Sequence, residues 1–169
     1  MTFTEMILPE FNQEMASTRK TLERVPDEKF DWKPHEKSFS LAGLATHVAD
    51  IPGWTAKAFG QDELDVAPPG APPYRLEDAK SREQLLADFD KNVASARDAL
   101  EAASDEHWQG QWTLLAGGKR ILTQPRTKIM REFVMNHLIH HRAQLGVYFR
   151  LLDVPVPAIY GPSADEGGF

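Results

Sequence analysis

The sequence predicts an all-α fold, a four-helix bundle with long connections and a small β-hairpin before the last helix. Three observations carry that expectation. Four segments each hold one stripe of apolar residues at spacings of three and four, the pattern of a helix that buries a single face. Proline and glycine gather between those segments, in connections of roughly 15 to 20 residues, longer than bundle loops usually are. The chain has 169 residues, 41% of them apolar, which suits one core and one domain over residues 1–169.

The first helix starts near Thr2 or Thr4, either of which can cap it. Phe3, Ile7, Phe11, Met15, Thr18, Leu22 and Val25 form its stripe, and Pro26-Asp27 stops it. Ser38 or Ser40 caps the second helix, which runs to Phe59 with a kink or break at Pro52-Gly53. The stretch from Gly60 to Lys80 contains VAPPGAPPYR and is too rich in proline and glycine to be helical. Ser81 followed by Gln84 reads as a capping box for the third helix, with Leu86, Phe89, Val93, Ala96, Leu100 and Ala103 as its stripe. Gly117-Gly118 between two short apolar runs marks the hairpin. The fourth helix is the longest. It begins between Pro125 and Thr127, ends at Leu152 and is followed by an irregular tail, VPVPAIYGPSADEGGF. The long connections permit crossovers, so the order of helices round the bundle stays open.

Charge and composition remove several functions. Lys and Arg number 19 against 25 Asp and Glu, a net charge of −6, which opposes phosphate backbones and anionic membranes. No stretch approaches the roughly 18 apolar residues of a membrane span, and the acidic N-terminus is unlike a secretory signal. The expectation is a cytoplasmic protein with no nucleic-acid or membrane partner. Cysteine is absent, so disulfides and a catalytic thiol are excluded. AGGK lacks the spacing of a phosphate loop, and no GxSxG occurs.

The histidines form the one constellation with chemical content. At about 100° per residue, Met130, Val134, Leu138, Leu145, Tyr148 and Leu152 share one face of the last helix. His137 and His141 lie within that face, four residues apart, so both rings can reach one ion. His140 points to its side. The second-helix stripe of Leu44, Ile51, Trp54 and Ala58 contains His47. Three imidazoles on two inward faces can thus converge in the interior, a common place for bundle metal sites. Hydrogen-bonded core histidines are the alternative, since an unpaired polar ring in a core is costly. Three neutral imidazoles would leave a divalent ion its full charge and an open position, where it acidifies water and thiols alike. Imidazole suits zinc, nickel, iron or copper. The expected cofactor is one divalent transition metal, with zinc or nickel ahead of iron.

SLAGLATHVADIPGW followed by NHLIHHRAQLGVYFRLLDVPVPAIYGPSADE resembles the DinB/YfiT-like family of metal-dependent bacterial proteins. The resemblance spans nearly the whole chain and is densest over residues 131–166. Its specific parts are the paired histidines with the following Arg-x-Gln and the YGPSADE-like ending. It implies a four-helix bundle, often a homodimer, in which His47, His137 and His141 hold a divalent ion. It also implies kinship with thiol S-transferases that use bacillithiol, mycothiol or glutathione. HHRAQ departs from the family by carrying Ala143 where relatives often have Gly, and by angle that position faces away from the site.

Four further residues have two readings each. Asp50, about 60° round from His47, can orient a ligand or act as a general base, or can be a surface carboxylate. Trp54 can wall a substrate pocket or belong to the core. Arg142 can anchor a substrate carboxylate from the rim or form a salt bridge. Tyr160, with Asp165 and Glu166, lies in a tail that can fold over the site or stay solvated. His35 and His107 receive no role. The expected function is metal-dependent transfer of a low-molecular-weight thiol to a small electrophile. The alternatives are hydrolysis by an activated water and a non-catalytic stress or interaction protein stapled by its metal.

Overall fold

The structure is a computed structural model, and it describes residues 1–167; the last two residues of the expected tail lie outside them. Helix α1 spans Phe3–Leu22 and is capped by Thr2, whose hydroxyl accepts from Glu5 N while the Glu5 carboxylate accepts from Thr2 N. Its stripe buries Phe11, Met15, Thr18 and Leu22. After a 3-10 turn at Asp27–Lys29 the loop is pinned to the next helix, since Leu41 N donates to Trp32 O and Ala42 N to Phe30 O. Helix α2, Leu41–Asp50, is capped by Ser40. It is buried on every side, and only His47 and Asp50 are partly exposed. Pro52 ends that run, and α3 follows at Gly53–Gly60. A Cβ on Gly53 would meet Asn92 at 2.9 Å, so glycine there lets α3 close on the next long helix.

That helix is α4, Arg82–Ala102, capped by Ser81. Gln84 Oε1 accepts from Lys80 N rather than from the cap residue, so the expected capping box is half formed. Leu85 is buried and Leu86 packs half-buried against the core; Phe89, Ala96 and Leu100 are buried as the stripe requires. A short α5, Asp105–Gln109, was not anticipated.

The all-α expectation needs correction in one respect. The hairpin is present, with β2 at Gln111–Ala116 and β3 at Lys119–Pro125. Gly117 and Gly118 take φ of +63° and +73°, as a tight two-residue turn demands. A third strand, β1 at Glu63–Asp65, pairs in parallel with β2 and makes a small sheet of order β1-β2-β3. Asp65 fastens it, since its carboxylate accepts from Ala67, Gly117 and Gly118 N–H groups.

The last helix is continuous but not uniform. It comprises α6 at Arg126–Ile129, a π-wound stretch at Met130–Asn136 and α7 at His137–Leu151. The wider turn departs from 100° per residue, and within it Met130, Val134 and Met135 are buried. Helix α1 packs on α4 and α7, and α2 packs on the same two. Phe11, Leu44, Phe89, Leu138 and Phe149 fill the space between them. No helix among the described residues is long and apolar enough to cross a membrane.

Candidate metal centre

Contact between α2 and α7 brings three imidazoles together. His47 comes from the buried α2, and His137 and His141 from the first two turns of α7. Ring centroids are 4.9 Å (His47–His137), 4.6 Å (His47–His141) and 4.7 Å (His137–His141) apart, close to an equilateral triangle. One ring nitrogen from each lies within 4.8 Å of the other two, and His47 Nε2 is 3.2 Å from His137 Nε2. A tetrahedral ion with bonds of about 2.0–2.1 Å sets its ligands about 3.3 Å apart, the spacing of the His47–His137 pair. Among the described residues the cluster contains no carboxylate.

The electrostatics agree with ligand chemistry, which requires unprotonated nitrogens. His47 is pushed down to about 4, first by burial and then by the neighbouring His141 and His137, with Asp50 opposing. Burial also lowers His137, opposed by its bond to the Phe133 carbonyl. It lowers His141 too, opposed by Gln144. The shift of each of the three therefore favours the neutral ring at pH 7.

The other expected site residues divide into two groups. Asp50 and Trp54 sit one and two turns beyond His47 and touch each other. Trp54 Nε1 and the Tyr74 hydroxyl both donate to Asp50 Oδ2, each at 3.0 Å. Tyr74 meets the Trp54 ring edge-on, and the Lys57 ammonium lies 4.3 Å from the Tyr74 ring centroid and 4.8 Å from that of Trp54. Burial, then the Asp50 charge, pushes the Tyr74 phenol up to about 12.

Arg142 and Tyr160 are elsewhere. Arg142 is 3% exposed, not on a rim. Its guanidinium donates to the Glu14 carboxylate and backbone carbonyl, to Thr18 Oγ1 and to the Tyr160 hydroxyl. The Tyr160 hydroxyl in turn donates to Glu14 Oε2 at 2.7 Å. The helical angle placed Arg142 to one side of the histidines correctly, but that side faces α1, where Glu14 offers a buried carboxylate. The tail lies along α1 and α7 instead of over the histidines. Glu166 is latched by Lys20 and Arg24, and Asp165 by Arg150.

The sequence singles out neither Phe39 nor, beyond its place in the Arg-x-Gln signature, Gln144. Phe39, 55% exposed, stacks at 19° on the His47 ring and forms an apolar wall beside the cluster. Gln144 accepts from His141 Nδ1 at 2.7 Å. Its position three residues after His141, on the same helical face, is the signal that could have found it.

The DinB family model matches residues 1–167. A DinB-like protein from Bacillus cereus ATCC 10987 superposes with a TM-score of 0.71 at 18% identity, covering 92% of this chain and 97% of that one. A DinB-like protein from Bacillus subtilis gives 0.65 at 18% identity, covering 89% and 95%. No curated protein matches the sequence. At such identity these likenesses speak to the fold.

Proposed function

The chain belongs to the DinB family, and on that premise we propose that it is a divalent-metal-binding four-helix bundle that transfers a low-molecular-weight thiol to a small electrophile. The observation that carries the reading is the triangle of three neutral ring nitrogens within 4.8 Å. His47, His137 and His141 would hold one transition ion, zinc or nickel ahead of iron. When bound, the ion supplies Lewis acidity that ionises a thiol or a water at neutral pH. Three uncharged ligands, with no carboxylate beside them, leave that acidity undiminished. The chain has no cysteine, so the thiol must arrive with a co-substrate. Phe39 offers its exposed face to an apolar part of the acceptor. Asp50 and Trp54, tied together beside His47, orient it or wall the pocket.

The protein is proposed to act in the cytoplasm as a homodimer. An apolar groove of about 490 Å³ along the outer face of α7 supports the second copy, with Val147 60% exposed and Leu151 close by at 59%. Sedimentation velocity reads this directly, and a monomer at micromolar concentration overturns it.

The metal reading is tested by elemental mass spectrometry of the purified protein and zinc titration, beside His47→Ala and His141→Ala. One equivalent in wild type, lost in both variants, is expected; a wild type that takes up neither zinc nor nickel makes the histidines core residues. Consumption of electrophile that requires added thiol supports transfer. Consumption without thiol assigns hydrolysis, and stability lost on chelation with no turnover assigns a staple.

A further inference from the structure

Two of the three imidazoles are held from behind by an acceptor. The His137 Nδ1 lies 3.3 Å from the Phe133 carbonyl oxygen, and the His141 Nδ1 lies 2.7 Å from Gln144 Oε1. An amide oxygen only accepts, so His141 must carry its proton on Nδ1, which leaves the Nε2 lone pair free. The other end of the same amide is also engaged. Gln144 Nε2 stands 3.1 Å from His140 Nε2, and an NH2 group only donates, so His140 must be unprotonated at that nitrogen.

These two bonds fix each other. Turning the Gln144 amide over would set its NH2 against His141 Nδ1 and its oxygen against His140 Nε2. Both rings would then have to exchange tautomers, and His141 would carry its proton on Nε2, with no lone pair there to offer. His140 stands outside the triangle: its ring centroid is 4.8 Å from that of His141, but it is not one of the three converging residues. Gln144 bonds it to the triangle as well, at i+3 from His141 and i+4 from His140.

We propose that Gln144 is a positioning residue of the metal centre: its amide, oriented by His140, holds His141 in the Nδ1–H tautomer and keeps Nε2 available to an ion. This rests on the metal reading above. Loss of such a partner commonly weakens metal affinity by about 10- to 100-fold.

The test uses the full chain, Gln144→Leu and Gln144→Glu, with zinc as the probe. Long-range 15N NMR of the metal-free protein is expected to show Nδ1–H at His141 in wild type and in Gln144→Glu, whose carboxylate only accepts. Gln144→Leu, close in size and unable to accept, should populate the Nε2–H form. Zinc affinity from chelator competition should fall about 10- to 100-fold in Gln144→Leu and stay within a few-fold of wild type in Gln144→Glu. A purely structural role for Gln144 would give no such rescue. Nε2–H at His141 in wild type overturns the inference, as does equal zinc affinity in wild type and Gln144→Leu. A wild type that binds no zinc overturns the metal reading and this inference with it, and is recognised before any variant is compared. Should Gln144→Leu fail to fold, the wild-type tautomer and the Gln144→Glu affinity still decide.

Discussion

His141 and Arg142 are consecutive residues of α7 that face different helices, α2 with His47 and α1 with Glu14. Both are polar groups beside the apolar core, His141 half-buried and Arg142 buried, and the chain handles them in opposite ways. On the α1 side every strong group has a partner: Arg142, Glu14, Thr18 and Tyr160 form a closed network. On the α2 side the ring nitrogens face one another, and neutral rings cannot satisfy all three at once. The single short contact there, His47 Nε2 to His137 Nε2, uses at most one proton. A closed network stabilises a fold, whereas converging lone pairs are what a cation needs. Residue type does not separate the two cases; the neighbour across the helix interface does.

The largest expected effect breaks the closed side. Glu14→Ala leaves the Arg142 guanidinium buried without its carboxylate, at a cost of about 3–5 kcal/mol in urea unfolding. Zinc stoichiometry of the folded variant should stay at the wild-type value. Loss of zinc binding in a still-folded Glu14→Ala would mean the two flanks of α7 are coupled, and the contrast would fail.

The next prediction sharpens the open side through pH. His47 titrates at about 4 in the folded chain, against about 6.5 when unfolded. Between those values the unfolded chain binds more protons, so stability rises with pH across the window and is lost as pH falls from 6.5 towards 4. Metal-free wild type should lose about 1–2 kcal/mol there, after allowance for the partial exposure of His47. His47→Ala should lose less, and identical pH profiles would show that His47 is not held neutral by its surroundings.

The contrast also explains what was legible from sequence. A stripe at three-and-four spacing reports which way a side chain points, so it found the helices, His47, His137 and His141. It cannot report what waits there, so Arg142 kept both substrate anchor and salt bridge as readings, and Tyr160 both site cover and solvated tail. Gly117-Gly118 announced the hairpin because a tight turn demands positive φ locally. Strand β1 announced nothing, since three residues pairing with a partner some 50 positions away leave no local pattern. The π-wound stretch was illegible for a related reason: angles counted at 100° per residue drift across Met130–Asn136. The ligands survived that drift because His137 and His141 both lie after it, in regular α7.

Asp50 is the case that falls between the two sides, and its substitution has the smallest expected effect. It lies beside His47 and raises that ring's proton affinity, as the open side would use it. Yet Trp54 and Tyr74 both donate to its Oδ2, as in a closed network. Asp50→Asn separates the two roles, because an amide oxygen can still accept both bonds while the negative charge is gone. If the charge serves the metal, zinc affinity should weaken by about two- to tenfold, the scale of a partly screened charge near a site, with unfolding unchanged. His47 should then titrate still lower, because the one influence opposing its depression has been removed. Unaltered zinc affinity with a drop in stability would place Asp50 beside Arg142, as a residue that anchors Tyr74 and its loop and leaves the ion to the three histidines.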